Sequence, residues 1–205
     1  MCIELFGIKI RITAAFAVFA AVSANFYDGK MYFLTLVFSL IHEAVHMIML
    51  RFYGCKNMEL KLSPGGVRLT AEGIMLLKHK NAFFSAVSAP AANLLLSLLF
   101  FLIYSYSDNS LFYSLFSVNF ILGAVNLLPL PFLDGGRAVF CILSLFYDER
   151  RVTLISDILG VITVIFLFCV LLFAFINGSL SVFFAVFFLY CIVGIVSDKT
   201  RQSLT

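Results

Sequence analysis

His42-Glu43-Ala44-Val45-His46 sets two imidazoles four residues apart, with a carboxylate beside the first. On a helix, residues four apart differ by only about 40° around the axis and lie one turn apart, so both rings can reach a single ion. Glu43 leaves the helix next to them, where a carboxylate can take a proton from a water that the ion activates. The chemistry this pattern suggests is metal-assisted hydrolysis. With 3 His among 205 residues, random placement produces the pattern about once in a thousand such chains, which makes chance a poor explanation for it.

A catalytic zinc site takes three protein ligands and keeps one position open. Three residues are candidates for the third. His79 lies between Lys78 and Lys80, the setting of a solvated surface histidine. Asp157 borders an apolar run close to Arg150 and Arg151, as a residue marking the membrane edge would. Asp134 stands in Asn126-Leu-Leu-Pro129-Leu-Pro131-Phe-Leu-Asp134-Gly135-Gly136-Arg137. There the prolines break a helix and the glycines allow close approach of the backbone to another group. The bland alternative for Asp134 is a helix cap at the interface.

The elements that must position these groups are set by lipid. The chain is 62% hydrophobic and 12% charged, against about 25% charged in soluble domains. A helix needs about 20 apolar residues to cross the hydrocarbon core. Six segments are expected to span, at about 12–27, 31–53, 82–106, 111–133, 158–176 and 180–196. The first of these has a rival reading as a signal peptide, because Lys9 and Arg11 precede it and Val22-Ser23-Ala24 offers a cleavage pattern. The second carries His42, Glu43, His46 and Arg51 inside an otherwise apolar run. Burying ionisable groups in a membrane costs several kcal/mol, on the order of 2.5–3.5 for a charge at the helix centre, unless something compensates, and a metal does so directly.

Basic residues gather in the segments after the second, fourth and sixth spans and before the first, with only Lys30 on the opposite side. By the positive-inside rule the expected arrangement is a multi-pass protein with both termini cytoplasmic, and the setting expected is a bacterial-type cytoplasmic membrane. His42 and His46 lie 11 and 7 residues before Tyr53, so the metal should sit roughly 10–16 Å into the membrane from the cytoplasm. The five cysteines form no close pair, which argues against a disulfide framework or a thiolate metal site. The net charge of +3 belongs to the inner loops, and no nucleic-acid signature is present.

The fold class expected is therefore an all-α polytopic membrane protein, a single membrane-embedded domain over 1–205, with one small sheet on the cytoplasmic face. Met58-Glu59-Leu60-Lys61-Leu62 and Val67-Arg68-Leu69-Thr70 alternate apolar and polar residues around the turn residues Ser63-Pro64-Gly65-Gly66. They predict a β-hairpin at about 57–71. Ile8-Lys9-Ile10-Arg11-Ile12 alternates likewise and offers a third strand. Such a sheet either packs at the membrane surface or holds an extended substrate by strand addition.

The pair His42-Glu43-x-x-His46 and Asn126-x-x-Pro129-x4-Asp134-Gly135-Gly136 resembles the site-2 protease family of intramembrane zinc metalloproteases. Ser88-Ala89-Pro90-Ala91-Ala92-Asn93 is similar to the Gly-Pro-x-x-Asn element of that family's third span, with Ala89 at the usual Gly. Within the family, the short chain, six spans and early metal motif are most similar to the stage IV sporulation protein FB branch. The resemblance implies one Zn2+ per chain on His42, His46 and Asp134, Glu43 as the base, and Asn126 as a substrate contact near the scissile bond. It implies cleavage of a regulatory protein in or near its membrane segment, in that branch a sigma-factor precursor, with a membrane-protein inhibitor or activator as a further partner. Two other readings stay open. A prenylated-protein-processing metalloprotease would want a Glu as third ligand. The other is a non-proteolytic metal-binding membrane protein or transporter; a transporter should spread polar residues over several spans, whereas here they concentrate in two.

Overall fold

The computed structural model describes residues 2–5, 8–13, 29–63, 66–177, 188–189 and 191–194. Two compact units divide the chain, Met1–Val125 and Asn126–Thr205. Of the predicted span at 12–27 only residues 12 and 13 are described, of that at 180–196 only 188–189 and 191–194, and Pro64 and Gly65 of the predicted turn lie outside the described residues.

In the first unit, strands β1 (Cys2–Leu5), β2 (Ile8–Ile12), β3 (Lys56–Ser63) and β4 (Gly66–Glu72) form one sheet in the order β1-β2-β3-β4. The hairpin β3–β4 and the third strand β2 are as expected from alternation, while β1, antiparallel to β2, is an addition. β2 and β3 run parallel. Parallel neighbours need a crossover connection, and helix α1 (Gly29–Phe52) lies within it. Leu60, Leu62 and Met58 turn inward from β3. On the other face Glu59 accepts an ion pair from Arg11 Nε at 3.0 Å, a surface contact worth at most about 1 kcal/mol.

The junction of α1 with the sheet is tightly specified. Gly54 adopts φ +85°, its N–H donates to Arg51 O, and the Cys55 N–H donates to Leu50 O, both at 3.0 Å. This is a Schellman cap, and its expected apolar contact is present because Leu50, Cys55 and Met58 share one buried cluster. Burial pushes the Cys55 thiol pKa up. The sheet is thereby fixed to the last turn of the helix that carries the histidines.

Helix α1 buries Phe38, His42, His46 and Leu50, a row at four-residue spacing. That row meets helix α2 (His79–Ser107) in antiparallel fashion, with Phe38 against Phe100 at one level, His42 against Asn93 at the next and His46 against Ser85 at the last. α2 buries the small residues Ser85, Ala86 and Ala89 along this stretch, which lets helix backbones approach closely. An αL residue, Asp108, ends α2. Asn109 then caps α3 (Ser110–Asn126), its Oδ1 accepting from Leu111 N–H at 2.9 Å. An aromatic ladder of Phe101 on Phe116 and Tyr104 on Tyr113 joins the two helices.

In the second unit, Leu127–Leu133 is irregular, α4 covers Asp134–Leu143 and α5 covers Glu149–Ile176. The span expected at 111–133 is therefore corrected: its helix stops at Asn126, because Pro129 and Pro131 lack the N–H groups a continuing helix requires. α5 begins nine residues before the expected 158, which puts Asp157 inside a helix and not at its edge. Gly135 and Gly136 pack their Cα atoms against the carbonyls of Leu127 and Leu130, with no room for a Cβ at either place. The close approach anticipated at these glycines is to this loop.

Among the described residues, three helices, α1, α2 and α5, are long and apolar enough to cross a membrane, and α3 is a shorter apolar helix. Six spans were expected. Side chains such as Leu95 and Phe166 stay more than 60% exposed along these helices, which suits lipid and would be a liability in water. The fold is mostly helical with one small sheet, and the chain is an integral membrane protein.

Candidate metal centre

His42 and His46 project from one face of α1, and their ligand nitrogens lie within 4.8 Å of each other. The rings stand edge to face with centroids 4.9 Å apart. Both are buried, at 4% and 6% exposure, so these are not solvated surface groups.

Each ring is held by its Nδ1. His46 Nδ1 donates to the Ser85 carbonyl at 2.8 Å, and His42 Nδ1 donates to Asn93 Oδ1 at 3.2 Å. With the proton on Nδ1, Nε2 carries the lone pair that a cation takes. The opposite orientation of the Asn93 amide would aim N–H groups at Nδ1 and force the proton to Nε2, where no ligand could form. The donor set in this unit thus fits a divalent metal of the imidazole-binding kind.

Glu43 is half-buried, one position along the helix from His42. His79 begins α2 and is exposed, as its lysine neighbours indicated.

In the second unit, Asp134 opens α4 at 9% exposure. The N-cap position belongs to Leu133 and carries no side-chain cap bond, so Asp134 is not in the place of the anticipated cap residue. Arg137 stands one turn on, with its guanidinium 3.9 Å from the Asp134 carboxylate. Asn126 is the last residue of α3. Asp157 lines a small cavity with Pro129, Pro131, Arg137 and Ser156.

Sequence reasoning left two contributors aside. Asn93 carried no assigned role because Ala89 departs from the expected glycine, yet Ala89 is fully buried and Asn93 holds His42. Ser85 acts through its carbonyl, for which a sequence gives no signal.

Fold and site define a membrane protein with a buried histidine pair able to hold a metal ion. Residues 105–172 match the family model of peptidase family M50. A curated zinc metalloprotease of Methanocaldococcus jannaschii is 24% identical over 170 residues, covering 77% of this chain and 49% of its own length. The chain thus spans about half the length of that curated relative. A solved structure, a site-2 protease from the same organism, superposes with a TM-score of 0.66 at 21% identity, covering 96% of this chain and 94% of the other, and establishes the shared fold. The chain is thus similar to peptidase family M50 over part of its length and to a zinc metalloprotease in sequence, and it shares the fold of a site-2 protease.

Proposed function

We propose that the chain is a zinc metalloendopeptidase that hydrolyses a peptide bond in or near the membrane segment of a protein substrate. The observation that carries this reading is the His42–His46 pair, buried on a candidate spanning helix with both Nδ1 atoms held as donors. Asp134 is the third ligand in this reading, supported by its place in the Asn-Pro-Asp-Gly-Gly motif and by its burial. One Zn2+ per chain is the expected cofactor.

Zinc, when bound, lowers the pKa of a water toward about 7 and polarises the scissile carbonyl. The chain's own residues do the rest. Glu43 takes the proton of the attacking water and delivers it to the leaving amine. Asn93 and Ser85 keep the imidazoles aimed. Asn126 contacts the substrate near the scissile bond, a role that rests on its place in the motif. An extended substrate segment would add to an open sheet edge. β3 is paired on both sides, so among the described residues β4 is the edge strand of the predicted hairpin.

The substrate class we favour is a membrane-associated regulatory protein, such as a sigma-factor precursor of the kind cut in the sporulation branch. Co-expression with candidate precursors should yield a cleaved product with the wild-type chain and none with a Glu43 variant. Equal cleavage by both would overturn the reading.

The distribution of Lys and Arg supports a cytoplasmic assignment of both termini in this reading. A cytoplasm-active reporter inserted near Asp148 should be active and one inserted near Asp108 inactive. The reverse pattern would invert the topology.

A further inference from the structure

Two buried amides in the first unit are incompletely satisfied, and they complement each other. Asn93 Nδ2, a donor, and Asn119 Oδ1, an acceptor, have no hydrogen-bond partner among the described residues. Both side chains are essentially fully buried, at 1% and 0% exposure. The other atom of each is in use: Asn93 Oδ1 accepts from His42, and Asn119 Nδ2 donates to Leu115 O at 2.9 Å. A buried amide group left unmatched is destabilising, so the pair calls for an explanation.

The register of α2 and α3 places the two at one level. Ser97 Oγ donates to Phe116 O at 3.2 Å, and a Cβ on Gly123 would lie 3.1 Å from Pro90 O. Between these two fixed points, Asn93 lies four residues from Ser97 and Asn119 three from Phe116. At about 1.5 Å per residue their levels differ by only about 1.5 Å. Asn119 shares a helix face with Gly123, four residues on, which turns toward α2.

We infer that Asn119 is a positioning residue of the metal centre, acting on Asn93 through one buried water. The Asn93 Nδ2–H donates to that water and the water donates to Asn119 Oδ1, which gives it the two or more polar partners a buried water needs. Asn93 is then unable to flip, its Oδ1 stays on the His42 Nδ1–H, and His42 keeps Nε2 for the cation. This inference rests on the metal reading above. It extends that reading by a second layer of support, on a third helix.

The test is a double-mutant cycle read as zinc affinity, by chelator competition on purified full-length protein. Asn119→Leu removes the acceptor and should weaken zinc binding about tenfold, in the range for outer partners of ligand histidines. Asn93→Leu should weaken it about 10- to 100-fold. Because Asn119 acts only through Asn93, the double variant should bind zinc no more weakly than Asn93→Leu. Asn119→Asp, whose protonated carboxyl keeps an acceptor and can still donate to Leu115 O, should stay within about threefold of wild type. It also carries the test if the Leu variant fails to fold, since in that case Asn119→Asp must retain zinc affinity. Undiminished affinity in a folded Asn119→Leu, losses that multiply in the double variant, or a tenfold loss in Asn119→Asp would each overturn the inference. A folded wild-type protein that binds no zinc would overturn the metal reading beneath it as well.

Discussion

Asp134→Asn should lose both zinc and activity in purified protein, while Asp157→Asn should lose neither. Asparagine offers a neutral, weaker oxygen in place of a charged ligand. Removing even an outer partner of a zinc ligand costs about 10- to 100-fold in affinity, so loss of a ligand should cost at least ~100-fold. The competing role, a helix cap, predicts the opposite, because Asn caps a helix nearly as well as Asp. The observed geometry already weakens that competitor: Leu133 holds the cap position, and no side-chain cap bond forms there. Asp157, inside α5, is the internal control, an aspartate of the same unit with no place in either motif. A zinc-replete, active Asp134→Asn protein would remove Asp134 from the site.

Glu43→Gln should keep zinc and fold but lower turnover by at least ~100-fold. The amide preserves the shape of the side chain and cannot accept the proton, and general-base catalysis contributes roughly 10²–10⁴. Metal content separates this variant from Asp134→Asn. One loses only the reaction, whereas the other loses the ion as well. Wild-type turnover by Glu43→Gln would dismiss Glu43 as the base.

Much of the site was legible because it is written in local spacing. Four-residue separation put His42 and His46 on one face of α1, and the row of buried residues from Phe38 to Leu50 shows that face turned inward. Alternation in residues 8–12 and 58–70 fixed three of the four strands. Proline chemistry announced the break at Leu127–Leu133, although the expected span was drawn through it to 133.

What stayed hidden depends on pairing between distant residues. Nothing local in Cys2–Leu5 marks it as a strand until β2 is there to receive it. The early start of α5 was masked by Glu149, Arg150 and Arg151, which hydropathy excludes from a span but a helix accommodates in its first turn outside lipid. Asn93 is 51 residues from His42, and its departure from the expected neighbouring glycine hid a side chain that works through a different contact. Ser85 was beyond reach because its contribution is a backbone carbonyl.

The most direct test of the account is zinc stoichiometry measured together with peptide cleavage, in one preparation of purified protein taken through chelation and zinc restoration. The account predicts one zinc per chain, loss of cleavage when the ion is stripped, and return of cleavage when zinc alone is added back. Cleavage that persists at the same rate in folded, zinc-free protein would contradict it.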